Sequence, residues 1–231
     1  MAAASAAGPF SGWGVAITGA GSGMGAQAAR RFAQAGARVA ISDIDLASAQ
    51  AVADDIDPQA RQARAFACDV AEPAACARWV EQAQDFFGAP LDVFLANAGL
   101  SFAGDFLQAD PQALKRVMDV NLHGSVFSAQ AALRSLVASP QATGRNGQGG
   151  ASLIFTGSIS GVTGRAMRSV YTASKHAIGG LVKSLALEFG PRGVRVNAIA
   201  PGPTDTAFLR THLAKVEPDV DAAVQLSLIH I

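Results

Sequence analysis

The sequence predicts a single α/β domain built on a doubly wound parallel sheet. Short apolar runs of strand length alternate along the chain with longer, alanine-rich stretches of helical period. The strands are apolar throughout, which is typical of parallel strands that helices cover on both faces. A chain of 231 residues, half of them hydrophobic, suits one core better than two. Together these observations indicate one domain with helical crossovers between its strands.

Strands and helices are expected in strict alternation. The apolar runs predict strands at 13–18, 37–42, 64–68, 91–96, 151–156 and 193–199. The helical period predicts helices at 23–35, 46–56, 73–87, 111–138 and 171–189. Pro73 and Pro111 support two of these helix starts, because proline suits a first helical turn.

The other segments predict less regular structure. Residues 139–150, SPQATGRNGQGG, predict a mobile surface insertion between a helix and a strand. Residues 1–11 are expected to be a disordered N-terminal segment, so the folded domain should extend over 12–225.

Composition points to a small-molecule partner. Eighteen basic residues balance eighteen acidic ones, which argues against binding to nucleic acid or to an anionic membrane surface. No signal peptide or membrane span is evident, so a cytoplasmic protein is the default expectation. Cys68 and Cys76 have no metal-ligand spacing, and the histidines are scattered, so neither a disulfide nor a metal site is expected.

A glycine-rich turn, TGAGSGMG (18–25), joins the first predicted strand to the first helix. Gly19, Gly23 and Gly25 allow positive φ and a close backbone approach, while the free N–H groups of the helix attract phosphate charge. The spacing differs from the plain G-x-G-x-x-G fingerprint, and it lacks the lysine ending of a triphosphate loop. The turn is therefore interpreted as a pyrophosphate cradle of Rossmann type, with a simple tight turn as the alternative.

An acidic residue follows the second strand. Asp43 stands where a carboxylate can accept hydrogen bonds from an adenosine ribose diol and repel a 2′-phosphate. Neither Ser22 nor Ile44 supplies a basic group beside it, so the sequence favours NAD over NADP as cofactor. The alternative is that Asp43 and Asp45 only cap the next helix.

A tyrosine and a lysine share one face of the last long helix. Tyr171 and Lys175 stand at i and i+4 in YTASK. Lowering a phenol pKa toward neutrality takes about 3 pKa units, or about 4 kcal/mol. A lysine charge about 4 Å away supplies an energy of that order at an effective dielectric of about 20. Such pairs are common on helices, but Ser158 follows the fifth strand at the carboxyl edge of the sheet, where a hydroxyl can bind a substrate carbonyl.

At this point the chain resembles the classical short-chain dehydrogenase/reductase family. The resemblance rests on TGAGSGMG, CDV (68–70), NAG (97–99), Asn121, Ser158, YTASK (171–175) and NAIAPG (197–202), and it extends over about 12–210. It implies that Tyr171 exchanges a proton with substrate oxygen, and that Lys175 lowers the pKa of the phenol and holds the nicotinamide ribose. It also implies that Ser158 orients the carbonyl and Asn121 holds a water.

The same resemblance, with the glycine turn and Asp43, gives a set of expected dinucleotide contacts. These are Gly19, Ser22, Gly23, Met24, Gly25, Asp43, Asp69, Val70, Asn97, Ala98, Gly99, Tyr171, Lys175, Pro201, Gly202, Thr204 and Thr206.

The expected function is an NAD(P)-dependent oxidoreductase that interconverts a secondary alcohol and a ketone by hydride transfer. A catalytically silent dinucleotide sensor or structural subunit is the alternative, and a sugar-nucleotide epimerase of the extended family would need a larger substrate domain. The sequence leaves sugar, steroid, acyl thioester and simple alcohol substrates open. The resemblance also implies a homodimer or homotetramer, with subunit contacts through the helices near 111–137 and 171–189.

The carboxyl end departs from the family pattern. Family members commonly continue into a further strand, so the sheet is expected to lack its C-terminal edge strand here. The last six residues, LSLIHI (226–231), match one reading frame of a transposase adapter used in DNA library preparation. These residues are therefore expected to be a sequencing artefact on a truncated gene.

Overall fold

Six parallel strands form the centre of the molecule. This computed structural model describes residues 8–142, 150–206, 209–210, 213–214 and 219–228. The strands are β1 Gly14–Thr18, β2 Arg38–Asp43, β3 Ala63–Ala67, β4 Val93–Ala96, β5 Ala151–Thr156 and β6 Val194–Ile199. Their order in the sheet is β3-β2-β1-β4-β5-β6, and every neighbouring pair is parallel. The doubly wound α/β fold predicted from the sequence is confirmed.

The helices lie close to the ranges that the sequence predicts. They are α1 Gly23–Gln34, α2 Leu46–Ile56, α3 Pro73–Phe87, α4 Pro111–Met118, α5 Gly124–Leu136, α6 Ser169–Phe189 and α7 Val220–Leu228. Pro73 and Pro111 each occupy a first helical turn, as expected. In the described residues α7 is the last element after β6.

One predicted helix contains a wide turn. The sequence predicts a continuous helix over 111–138, whereas Asp119–His123 between α4 and α5 forms a π-turn. There the backbone N–H of Gly124 donates to the carbonyl of Asp119, five residues earlier. The extra residue rotates the two halves of the helix relative to each other. Asn121 lies inside this turn and is fully buried.

Both faces of the sheet are covered by apolar packing. Successive side chains of a strand point to opposite faces, so Ala16 belongs to one core cluster and its neighbours Val15 and Ile17 belong to the other. Trp79 of α3 and Phe94 of β4, with ring centroids 5.4 Å apart, both belong to the first cluster. This two-sided burial explains why the central strands β1 and β4 are buried at every position, whereas the edge strands β3 and β6 carry the exposed Arg64, Arg195 and Asn197.

The first described residues contact the domain. Residues 8–11 belong to the segment that the sequence predicts to be disordered, and Phe10 within it packs against neighbouring residues. The Phe10 N–H donates to the carbonyl of Ala35 at 3.0 Å, and the Phe10 ring packs edge-on against Trp13 and Phe32. Aromatic packing therefore holds this segment against α1. Residues 1–7, most of the proposed insertion (143–149) and 229–231 lie outside the described residues.

Candidate active site

The glycine turn holds backbone against backbone at the carboxyl end of β1. Gly19 and Gly23 have φ of 60° and 54°, a region that L side chains rarely adopt. A Cβ on Gly19 would lie 2.6 Å from the Cα of Ala98, and one on Gly25 would lie 2.4 Å from the carbonyl oxygen of Gly19. The turn is therefore more than a surface bend, because any larger residue at either position would displace neighbouring backbone.

Asn97 ties three strands together beside this turn. Its backbone N–H and that of Ala98 donate to the hydroxyl of Thr18 at 2.9 and 3.1 Å. Its side-chain amide donates to the carbonyls of Thr18 and Gly19, and its amide oxygen accepts from the hydroxyl of Thr156 at 3.1 Å. Asn97 thus fixes the ends of β1, β4 and β5 relative to each other, a structural role that sequence reasoning missed.

The two carboxylates at the end of β2, Asp43 and Asp45, have different partners. Asp43 accepts from the backbone N–H groups of Gly21 at 3.0 Å and of Asp45 at 3.1 Å. Asp45 is the N-cap of α2, since its side chain accepts from the N–H groups of Ala47 and Ser48. Only Asp43 lines the large cavity described below. The helix-capping alternative therefore holds for Asp45, while Asp43 braces the glycine turn at the cavity wall.

The segment after β3 contributes Asp69 and Val70 to the same wall. Asp69 accepts from the N–H of Ala71 at 3.0 Å and forms an ion pair with Arg116 at 3.1 Å. Arg116 also lines the cavity, and no sequence motif points to it because it comes from α4. This ion pair links the two walls of the cavity at that point.

The two cysteines pack inside the fold. Cys68 and Cys76 are both free and buried. The pKa of the Cys68 thiol is raised, mainly by a hydrogen bond with Cys76 and secondly by burial. Among the described residues no group of three or more His, Cys, Asp or Glu is placed to hold a metal ion.

Ser158, Tyr171 and Lys175 meet at the carboxyl ends of β4 and β5. The hydroxyls of Ser158 and Tyr171 form a hydrogen bond, and the Tyr171 side chain is almost fully buried. The Lys175 ammonium donates to the carbonyl of Thr156 at 2.7 Å and lies 5.8 Å from the Tyr171 ring centroid. The structure thus brings together three groups that lie up to 17 residues apart in the sequence.

Asn121 lies behind these groups rather than beside them. Its amide donates to the carbonyl of Leu100 at 2.9 Å and to the hydroxyl of Ser174 at 3.2 Å, while its oxygen accepts from the N–H of Leu100 at 2.7 Å. A Cβ on Gly99 would lie 3.4 Å from the Asn121 oxygen and 3.7 Å from the Lys175 ammonium. The absence of a side chain at Gly99 therefore leaves the space between Asn121 and Lys175 open.

Burial dominates the ionisation of the tyrosine and the lysine. Burial raises the pKa of the Tyr171 phenol, and the hydrogen bond from Ser158 and the charge of Arg168 oppose this only in part. Burial also lowers the pKa of Lys175 to about 8. The family resemblance implies that Lys175 lowers the pKa of the phenol, but the net shift here is upward because burial outweighs the effects that favour the phenolate. The Lys175 ammonium donates its hydrogen bond to the Thr156 carbonyl rather than to the phenol. The buried phenol is also shielded from water, which disfavours the charged phenolate.

One cavity of about 1090 Å³ joins these features. It is lined by most of the residues that the sequence analysis selects: Gly19, Ser22, Gly23, Met24, Asp43, Asp69, Val70, Asn97, Ala98, Gly99, Ser158, Tyr171, Lys175, Pro201, Gly202, Thr204 and Thr206. Gly25 and Asn121 do not line it. Gly25 instead packs against the backbone of the glycine turn, and Asn121 is covered by Leu100.

The cavity lies where the strand order reverses, between β1 and β4, which is where open α/β sheets bind their ligands. Fold and site together define a dinucleotide-binding oxidoreductase. The family model described as short chain dehydrogenase matches residues 14–217. The chain therefore belongs to the short-chain dehydrogenase family and is a dehydrogenase/reductase enzyme.

Known proteins agree with this assignment. Cyclohexanol dehydrogenase of Acinetobacter sp. is 35% identical over 207 residues, which cover 87% of this chain and 78% of the relative. L-rhamnose 1-dehydrogenase (NAD(P)(+)) of Sphingomonas sp. is 35% identical over 204 residues, covering 88% and 77%. The structure of 3-ketoacyl-(acyl-carrier-protein) reductase from Brucella melitensis, complexed with NADH, superposes with a TM-score of 0.80 at 29% identity, covering 94% of this chain and 91% of that chain.

No helix in the described part of the chain is both long and apolar enough to cross a membrane.

Proposed function

We propose that this enzyme interconverts a secondary alcohol and a ketone with a nicotinamide dinucleotide, and that Tyr171 transfers the proton. The observation that carries the proposal is the convergence of Ser158, Tyr171 and Lys175 on the same cavity as the glycine turn. A silent sensor would need the turn but not a phenol hydrogen-bonded to a serine and backed by a buried lysine.

The cavity fits an extended dinucleotide. The positive-φ glycines and the backbone approach of Gly19 to Ala98 suit a pyrophosphate at the start of α1, where N–H groups and the helix dipole favour an anion. Asp43 would hold the adenosine ribose, Asp69 and Val70 would contact the adenine, and Lys175 would hold the nicotinamide ribose. The bound cofactor supplies the hydride acceptor or donor.

The protein groups then manage one proton. In ketone reduction the Tyr171 phenol gives its proton to the carbonyl oxygen, and in alcohol oxidation the phenolate takes it back. The Ser158 hydroxyl, which is hydrogen-bonded to the phenol, can donate a hydrogen bond to the same substrate oxygen and hold that oxygen beside the phenol. The Lys175 charge favours the phenolate that forms during reduction. A pKa of about 8 leaves the lysine mostly charged near neutral pH.

The proposal includes a preference for NAD over NADP. Asp43 lies on the cavity wall, and the residues beside it offer no cation for a 2′-phosphate. A carboxylate there would accept from the ribose hydroxyls and repel the phosphate.

We also propose that the enzyme is a homodimer or homotetramer. Val126 on α5 and Leu187 on α6 are apolar and exposed, and Leu187 has 82% of its surface accessible. These are the two helices for which the family resemblance implies subunit contacts, and burial of such side chains would favour association.

A substrate screen tests the reaction class. The purified protein is incubated with secondary alcohols and NAD⁺, or with ketones and NADH, and the absorbance of NADH is followed, with NADP(H) in parallel. The proposal expects turnover of at least one alcohol and ketone pair. Tight NADH binding without turnover of any member of the panel would contradict it and favour the sensor.

A further inference from the structure

Two arginines lie at the catalytic end of the cavity. Arg165 and Arg168 belong to the segment 162–168, which connects Ser158 to Tyr171, and both line the cavity wall. Arg168 comes immediately before α6, and its positive charge acts on the Tyr171 phenol. Any substrate whose carbonyl contacts Ser158 and Tyr171 therefore comes close to a guanidinium.

Neither guanidinium forms an ion pair with an acidic residue in the described part of the chain. The other charged groups on the cavity wall are already engaged. Asp69 pairs with Arg116, and Asp219 caps α7 by accepting from the N–H of Ala222 at 3.0 Å. Positive charge is thus in excess beside the phenol.

The like charges of Arg165 and Arg168 repel each other. Burial, and then the like charge of Arg165, lower the pKa of Arg168, which is half-buried. A lysine or histidine could relieve such repulsion by losing its proton, but a guanidinium stays charged. An anion between the two arginines would remove the repulsion instead.

The backbone holds this segment in an uncommon shape. Met167, between the two arginines, has φ of 63°, a left-handed conformation that costs a non-glycine residue on the order of 1 kcal/mol. Its carbonyl accepts from the N–H of Gly104 at 3.0 Å, which ties the segment to the loop after β4. That loop supplies Leu100 and Ala103 to the cavity. The hydrogen bond therefore joins two segments that line the same end of the cavity.

We propose that the substrate carries an anionic oxygen group, a carboxylate or a phosphate, which Arg168 and Arg165 bind while the carbonyl lies against Ser158 and Tyr171. This inference rests on the proposed function and narrows its substrate to oxo acids, hydroxy acids or their phosphorylated equivalents. The planar guanidinium matches both anions with paired N–H donors, and binding the charge would orient the carbonyl toward the phenol.

Matched substrate pairs test this directly. The values of kcat/KM are measured for acetoacetate against methyl acetoacetate, levulinate against methyl levulinate, and dihydroxyacetone phosphate against dihydroxyacetone. We expect the anionic member of at least one pair to be favoured by about tenfold or more, since a charge-assisted hydrogen bond contributes that much. The first two pairs report on a carboxylate and the third on a phosphate.

Variants then assign the preference to the arginines. Arg168→Gln should lower the ratio of kcat/KM for the anionic substrate to that for its neutral partner by about tenfold to a hundredfold, mainly through KM. Loss of the Arg168 charge beside the Tyr171 phenol affects both partners and therefore cancels in this ratio. Arg165→Gln should act in the same direction, and Arg168→Lys should restore part of the loss. Arg31→Gln, an exposed arginine on α1 away from the cavity, is the matched control and should change neither substrate. NADH binding by each variant reports that it is folded.

The outcomes separate this inference from the proposed function. Turnover of neutral ketones with no preference for any anionic partner, or equal losses on both partners in Arg168→Gln, would overturn the inference and leave the reaction class intact. Failure of the wild-type protein to turn over any ketone while it binds NADH would overturn the proposed function and this inference with it.

Discussion

Asp43 and Asp45 show how two carboxylates of similar sequence context acquire different tasks. The Asp45 carboxylate accepts hydrogen bonds from N–H groups at the start of α2. The Asp43 carboxylate accepts from the N–H of Gly21 and lies on the cavity wall. The sequence alone cannot separate these tasks, because the two residues lie within three positions at the end of β2 and both are good capping residues.

Replacement of Asp43 tests the cofactor preference. In Asp43→Ala the ratio of kcat/KM with NAD to that with NADP should fall by about tenfold or more, because the repulsion of the 2′-phosphate and the ribose hydrogen bonds are both removed. Asp54→Ala, on the exposed side of α2, is the matched control. An unchanged ratio in Asp43→Ala would refute the ribose role.

At the scale of the element, α2 provides the complementary prediction. Asp45→Ala removes an N-cap that accepts two backbone N–H groups, so the free energy of unfolding should fall by about 1 kcal/mol. Chemical denaturation measures this change. The ratio of NAD to NADP activity should stay the same, and a shift in that ratio would show that Asp45 also contacts the cofactor.

The helix over 111–138 shows what an element-scale prediction misses. Its apolar period and Pro111 predict one helix, and α4 and α5 are both there. The π-turn at Asp119–His123 adds a single residue to one turn, which shifts the apolar period too little to be recognised. Yet that turn places Asn121 against Leu100 and against Ser174, the residue before Lys175.

At the scale of the whole molecule, the fold was predictable because it depends on patterns that repeat. Apolar strands and intervening helices define the parallel sheet, and parallel strands bring their carboxyl ends to one edge. That geometry is why Ser158, Asn97 and the glycine turn converge although they are far apart in the chain.

The parts that were not predictable depend on loops and on environment. Arg165 and Arg168 lie in an irregular segment, and only its position just before Tyr171 could have drawn attention to them. The direction of the Tyr171 pKa also depends on burial and on where the Lys175 ammonium points, neither of which a helical spacing specifies.

The most direct test of the central claim is the turnover of Tyr171→Phe with a substrate of the wild-type enzyme. Loss of the proton donor should lower kcat by about a hundredfold or more, while the Kd for NADH, measured by fluorescence, stays within about twofold. Ser169→Ala, which removes an exposed hydroxyl two residues away, should retain wild-type turnover. Near-normal turnover by Tyr171→Phe would contradict the assignment of the proton to this phenol.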